Sequence, residues 1–299
     1  MSSSPLDPGP VVSPVAAGAL RRRIASRPVA AFVIIAIGLT WAAQILSILI
    51  LGNVVPGLLA ELLVLLGTAV LVSAAVGGRA GVRHLLRGVV HWRVQAGWYA
   101  VALVAVPVLT LLIAAATATF HPPDQGWAEL MGNYLFNAVV FGAVLANVWE
   151  ELAWTAVVQR RLMLRRGLLL GSLLTAIPFA LIHLPLAFAE KGFAGTAVQD
   201  VLINWAVLFL VAPFFRLLAA ITYLETGGSI LIVGLLHASF NASGSTKLSA
   251  FDGEWQQIAA VIVLLAALAI YRSTSVRRTR RMAHPGGPAR PDSAHGHSA

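Results

Sequence analysis

Charge is scarce in this chain. Asp, Glu, Lys and Arg make up 11% of its 299 residues, against about 25% in an ordinary soluble domain. A nucleic-acid-binding protein needs a charged face, and too few charges are available to build one. Cysteine is absent, which removes disulfides, thiolate nucleophiles, iron–sulfur clusters and Cys-ligated zinc. H-E-x-x-H, G-x-S-x-G, a P-loop and G-x-G-x-x-G are also missing, so zincin, serine-hydrolase, nucleotide and dinucleotide readings get no support. What is abundant is apolar: 58% of the residues are hydrophobic, which excludes disorder over most of the length. These features predict an all-α polytopic transmembrane helix bundle.

A hydrocarbon core about 30 Å thick takes about 20 apolar residues in a helix. Eight stretches qualify: 29–51, 57–76, 96–118, 130–159, 168–188, 201–220, 229–245 and 255–271. The organisation expected is a disordered cytoplasmic segment over 1–28, a transmembrane domain over 29–271 and a disordered basic tail over 272–299. Of the 21 basic residues, 18 fall before the first span, between spans 2 and 3, between spans 4 and 5, or in the tail. Lys191 and Lys247 fall on the other side. By the positive-inside rule both termini are cytoplasmic. The Arg-for-Lys bias and high Ala content suggest a bacterial chain, hence the inner (plasma) membrane.

An ionisable group at bilayer depth costs roughly 2.5–3.5 kcal/mol on insertion scales, so each such residue is a functional candidate. Glu61 and Arg216 lie near expected helix ends, where a long side chain reaches the interface, and are read as interfacial. Glu150, Glu151, His183 and His237 remain. Adjacent helix residues point about 100° apart, so Glu150 and Glu151 cannot share one direction. Arg160 lies about 15 Å further along the axis, which puts the pair near mid-membrane. Phe179 and His183 share one helix face, as do His237 and Asn241. Counted from the loop at 160–166, His183 lies deeper than Glu150, so span 5 must start below the interface, tilt or bend for them to meet.

A carboxylate and an imidazole around one water make a general base for attack on a carbonyl. A His and an Asn side by side can donate to the resulting oxyanion. The same atoms can instead hold zinc, through Glu150, His183 and His237, since His₂Glu with a water is a known catalytic set.

The motifs resemble those of the CAAX-prenyl-protease and bacteriocin-processing family, the type II CAAX endopeptidase-like intramembrane proteases. E-E-x-x-x-R falls on Glu150 to Thr155, F-x-x-x-H on Phe179 to His183, and H-x-x-x-N on His237 to Asn241. The Arg-rich stretch Gly81 to Tyr99 is similar to one such proteins carry. The protease-like core spans about 130–245. The resemblance implies that Glu150 activates water with His183, that His237 and Asn241 stabilise the oxyanion, and that Glu151 supports the first motif. Family members are described both as metalloproteases and as metal-independent glutamate proteases, which leaves zinc open. The implied partners are a peptide or protein substrate at the membrane and the lipid bilayer, with no nucleic acid. One departure stands out. Thr155 occupies the position of the motif's Arg, and Ala156 that of the usual Gly. Either the first motif is rearranged in an active enzyme, or the chain is a membrane scaffold or immunity factor that has lost turnover. A proton-coupled transporter is the third reading, since intramembrane Glu and His also mark ion paths.

Overall fold

The computed structural model describes residues 18–120, 122–123, 125–245 and 255–283, and every regular element among them is a helix. In chain order these are α1 (Ala19–Ser26), α2 (Pro28–Leu51), α3 (Val55–Arg87), α4 (Ala96–Ala116), α5 (Trp127–Arg166), α6 (Leu168–Ile182), α7 (Val198–Glu225), α8 (Ile230–Ser245) and α9 (Trp255–Ala283). A 3₁₀ turn, Leu184–Phe188, extends α6. The segment expected to be disordered up to residue 28 contains α1. Its Ile24 is buried, and Arg21 Nε donates to the Ala75 carbonyl at 3.1 Å. At the other end α9 continues past 271, where a disordered tail was expected. Residues 1–17 and 284–299 lie outside the described set.

Among the described residues, seven helices are long and apolar enough to cross a membrane, where eight spans were expected. The difference is α8. At 16 residues it rises about 24 Å, short of a 30 Å core. It is surrounded by protein instead: Ile230, Ile232, Val233, Leu236 and Ala238 are fully buried. The outer helix faces expose Ile34, Leu63, Leu112, Phe141 and Leu210. Such a surface is costly in water but neutral against lipid tails. The protein is a multi-pass helical membrane protein.

Span 4 differs most from expectation. The cluster Arg160–Arg166 is not a loop: α5 runs through it, and Arg160 is buried. The turn is made by Gly167 alone, at φ 79°, a left-handed conformation that only glycine adopts without a Cβ penalty. Glu150 precedes this turn by about 17 residues and His183 follows it by about 16, so each lies roughly 25 Å along its helix. The depth mismatch disappears because the turn comes later in the chain than the first arginine.

Within α5, two π-helical stretches (Phe136–Asn147 and Trp154–Gln159) flank a single α-helical segment, Val148–Ala153, that holds both glutamates. Widened turns of this kind are common at functional sites. Opposite it, α8 crosses at backbone contact: a Cβ on Gly234 would stand 2.6 Å from Val148 Cγ2 and 2.7 Å from its Cα. Small residues at a crossing let membrane helices approach this closely. Gly234→Ala is therefore expected to force α8 off α5, at a cost of about 1–3 kcal/mol. Thermal unfolding in detergent checks this; an unchanged midpoint would contradict the close crossing.

Candidate active site

Glu150 and Glu151 leave α5 in different directions, as adjacent helix residues must. Glu150 meets α6: His183 Nε2 lies 3.6 Å from its Oε1. The His183 ring is fixed by the motif it belongs to, because Nδ1 lies 2.7 Å from the Phe179 carbonyl, one turn back. A carbonyl only accepts, so Nδ1 carries the proton and Nε2 is the atom presented to Glu150. Glu150 Oε2 accepts from Asn147 Nδ2 at 3.2 Å. Glu150 Oε1 is buried and has no hydrogen-bond partner. A single water can touch Oε1 and His183 Nε2 together at this separation.

His237, on α8, joins the two glutamates. Its Nδ1 is 2.9 Å from Glu151 Oε1 and 3.8 Å from Glu150 Oε2. With Nδ1 given to carboxylates, Nε2 is the free ring atom. A cavity of about 390 Å³ opens beside the two imidazoles, and Phe179, His183, Phe215, His237, Phe240 and Asn241 are among its lining residues. Asn241 is exposed, one turn beyond His237.

Two residues read from the sequence as interfacial belong to the interior. Arg216 has no exposed surface. Its Nη1 donates to Glu151 Oε1 at 2.8 Å and to Oε2 at 3.0 Å, its Nη2 to Thr155 Oγ1 at 2.6 Å, and its Nε to Gln159 Oε1 at 3.1 Å. The Thr155 hydroxyl in turn donates to Glu151 Oε2. The guanidinium carbon stands 5.0 Å from the centre of the Phe179 ring, a cation–π distance. Glu61 is 5% exposed and accepts from Gln44 Nε2 at 2.8 Å; it interacts electrostatically with His183 and Glu150. Arg216 was misplaced because α7 runs on to Glu225, past the end of the span read from hydropathy. Glu61 does stand in the first turns of α3, but α2 packs over it and Gln44 supplies its hydrogen bond. Asn147 and Gln159 had a usable signal, since they stand three before Glu150 and four after Thr155 on one helix.

A ligating imidazole needs one free nitrogen. Nε2 of His183 and of His237 meets that requirement, with Nδ1 held by the Phe179 carbonyl and by Glu151. Yet among the described residues no group of three or more His, Asp or Glu is arranged to hold a metal.

A bundle of membrane-crossing helices with a carboxylate between two imidazoles, beside a cavity, defines a buried Glu–His centre in a multi-pass membrane protein. The family model for type II CAAX prenyl endopeptidase Rce1-like proteins matches residues 131–243, and this family is generally one of peptidases. The matched stretch contains all three motifs and Arg216. Comparison with curated proteins gave no match.

Proposed function

We propose that the chain is an intramembrane endopeptidase that hydrolyses a peptide bond of a membrane-delivered peptide or protein. The observation that carries this reading is the Glu150 carboxylate with His183 Nε2 at 3.6 Å and His237 Nδ1 at 3.8 Å beside the cavity. A water held by Glu150 Oε1 and His183 Nε2 loses a proton to this pair as it attacks the scissile carbonyl. The tetrahedral oxyanion accepts from His237 Nε2 and Asn241 Nδ2. His237 donates from Nε2 only as an imidazolium, with the carboxylates at 2.9 and 3.8 Å from Nδ1 as counter-charges. The proton taken from water then passes to the leaving amine. Leu208, Val211 and Phe240 in the cavity wall favour an apolar residue beside the cleaved bond.

No step needs a metal, so turnover of detergent-purified protein on a peptide library is expected to survive saturating chelator. Loss of cleavage in chelator, restored by added zinc, would overturn this part of the reading.

The arginine distribution supports a bacterial plasma-membrane protein with both ends cytoplasmic, which requires α8, enclosed by the other helices, to complete an eighth crossing. Because the chain has no cysteine, single cysteines report sidedness without background. Arg165→Cys is expected to react with an impermeant maleimide only from the cytoplasmic side, and Lys191→Cys only from outside. The reverse pattern would invert the topology.

A further inference from the structure

A carboxylate buried at mid-membrane needs a counter-charge. Glu151 is fully buried, and its own helix offers none: the residue one turn on is Thr155, which is neutral. The charge arrives from another helix. Arg216, on α7, is 65 residues away in sequence and grips both Glu151 oxygens. Its second nitrogen holds the Thr155 hydroxyl, at the position where the resembling motif has its arginine. Gln159 completes the seat from the next turn: its Oε1 accepts from Arg216 Nε, and its Nε2 donates to the Arg216 carbonyl at 2.6 Å. Threonine at 155 thus does more than leave out a cation. Its short side chain leaves room for a guanidinium from elsewhere, and its hydroxyl bridges guanidinium and carboxylate.

The consequence reaches the reacting region through one contact. Glu151 is bonded to His237 Nδ1 at 2.9 Å, and that bond decides which ring nitrogen faces the cavity. We propose that Arg216 is a positioning residue: it replaces, from a different helix, the cation missing at 155, and through Glu151 it orients His237 for oxyanion binding. The inference rests on the peptidase reading for its catalytic part and on the Glu151 seat alone for its structural part. Neither Arg216 nor Glu151 lines the cavity, so substrate binding should not sense Arg216 directly.

The experiment moves the charge back. Arg216→Met, Thr155→Arg and the double variant are purified in detergent beside wild type, and each is assayed for kcat, KM and thermal midpoint. Arg216→Met is expected to lose about 10–100-fold in kcat, with KM within about twofold of wild type, and roughly 10 °C in midpoint. In the double variant the introduced guanidinium would stand four residues after Glu151 on the same helix, a favourable ion-pair spacing. It is expected to recover most of both losses, whereas Thr155→Arg alone crowds two cations and loses stability. A side chain that only filled space would show no such recovery. Double-variant values no better than Arg216→Met would overturn the proposal, as would an Arg216→Met enzyme with wild-type kcat.

If Arg216→Met does not fold, Arg216→Lys replaces it in the test. Lysine keeps the charge but not the two-pronged grip, so kcat about tenfold down at a near-wild-type midpoint is expected, and an unchanged kcat overturns the proposal. If wild type cleaves no substrate, the peptidase reading fails. Recovery of the midpoint in the double variant then decides the exchange of charge by itself, for or against.

Discussion

Replacing Glu150 by alanine is expected to lower turnover by about 10³–10⁴-fold while leaving a folded protein. This is the range for losing a general base together with the partner it orients. Glu150 Oε1 is free of hydrogen bonds and lies 3.6 Å from His183 Nε2. Glu61 Oε1 is also free, but among the described contacts Glu61 forms no close pair with either imidazole. Glu151 is committed to Arg216 and His237, and the hydrogen bond of Glu61 runs to Gln44 on α2. The cost to the fold is smaller. Asn147 loses an acceptor, an effect of about 1–3 kcal/mol for a buried donor. Glu150→Gln keeps that contact, because an amide oxygen accepts as well as a carboxylate oxygen, but it cannot take a proton from water. It should therefore match wild type in melting and match Glu150→Ala in turnover. Single-turnover rates set beside thermal midpoints separate the two effects. Cleavage that persists in both variants would remove Glu150 from the reaction.

The neighbouring residue is expected to behave in the opposite way. Glu151→Leu should prevent the bundle from assembling. Arg216 is fully buried, and without Glu151 its charge has no carboxylate against it. Breaking a buried pair from one side costs about 3–5 kcal/mol, comparable with the low end of total stability for a folded protein, about 5–15 kcal/mol. Thr155 and His237 lose the same partner. Glu151→Leu combined with Arg216→Met removes both charges and should regain a monodisperse, folded species without regaining turnover. Size-exclusion profiles and melting curves in detergent check this. A stable Glu151→Leu single variant would mean that the ion pair does not hold α5 and α7 together. The two adjacent glutamates thus divide the work: one is tested by rate and the other by folding.

Much of this was legible in the sequence because polar residues are conspicuous in an apolar chain. Glu150, Glu151, His183 and His237 stand out on composition alone, and the structure brings all four together, with Asn241 exposed at the cavity beside them. Arg216 and Glu61 were equally visible, but distance from an assumed helix end is a poor guide to depth. A helix can continue past its apolar run when a neighbour supplies the polar contacts, as α7 does to Glu225 and α5 to Arg166. Arg216 could not be read from the sequence as the partner of Glu151, because sequence spacing reports only local neighbours. A contact 65 residues away is set by how α5, α7 and α8 pack. The single-residue turn at Gly167 was hidden by the arginines before it, which resemble a loop on charge and yet end a helix.

The most direct test of the account is cleavage in ¹⁸O-enriched water. Purified protein is incubated with a library of apolar peptides, with chelator present, and the products are read by mass spectrometry. Hydrolysis by an activated water predicts paired fragments with one ¹⁸O in each new carboxyl terminus for wild type, and none above background for Glu150→Gln. Absence of cleavage by wild type, or equal labelled cleavage by Glu150→Gln, would contradict it.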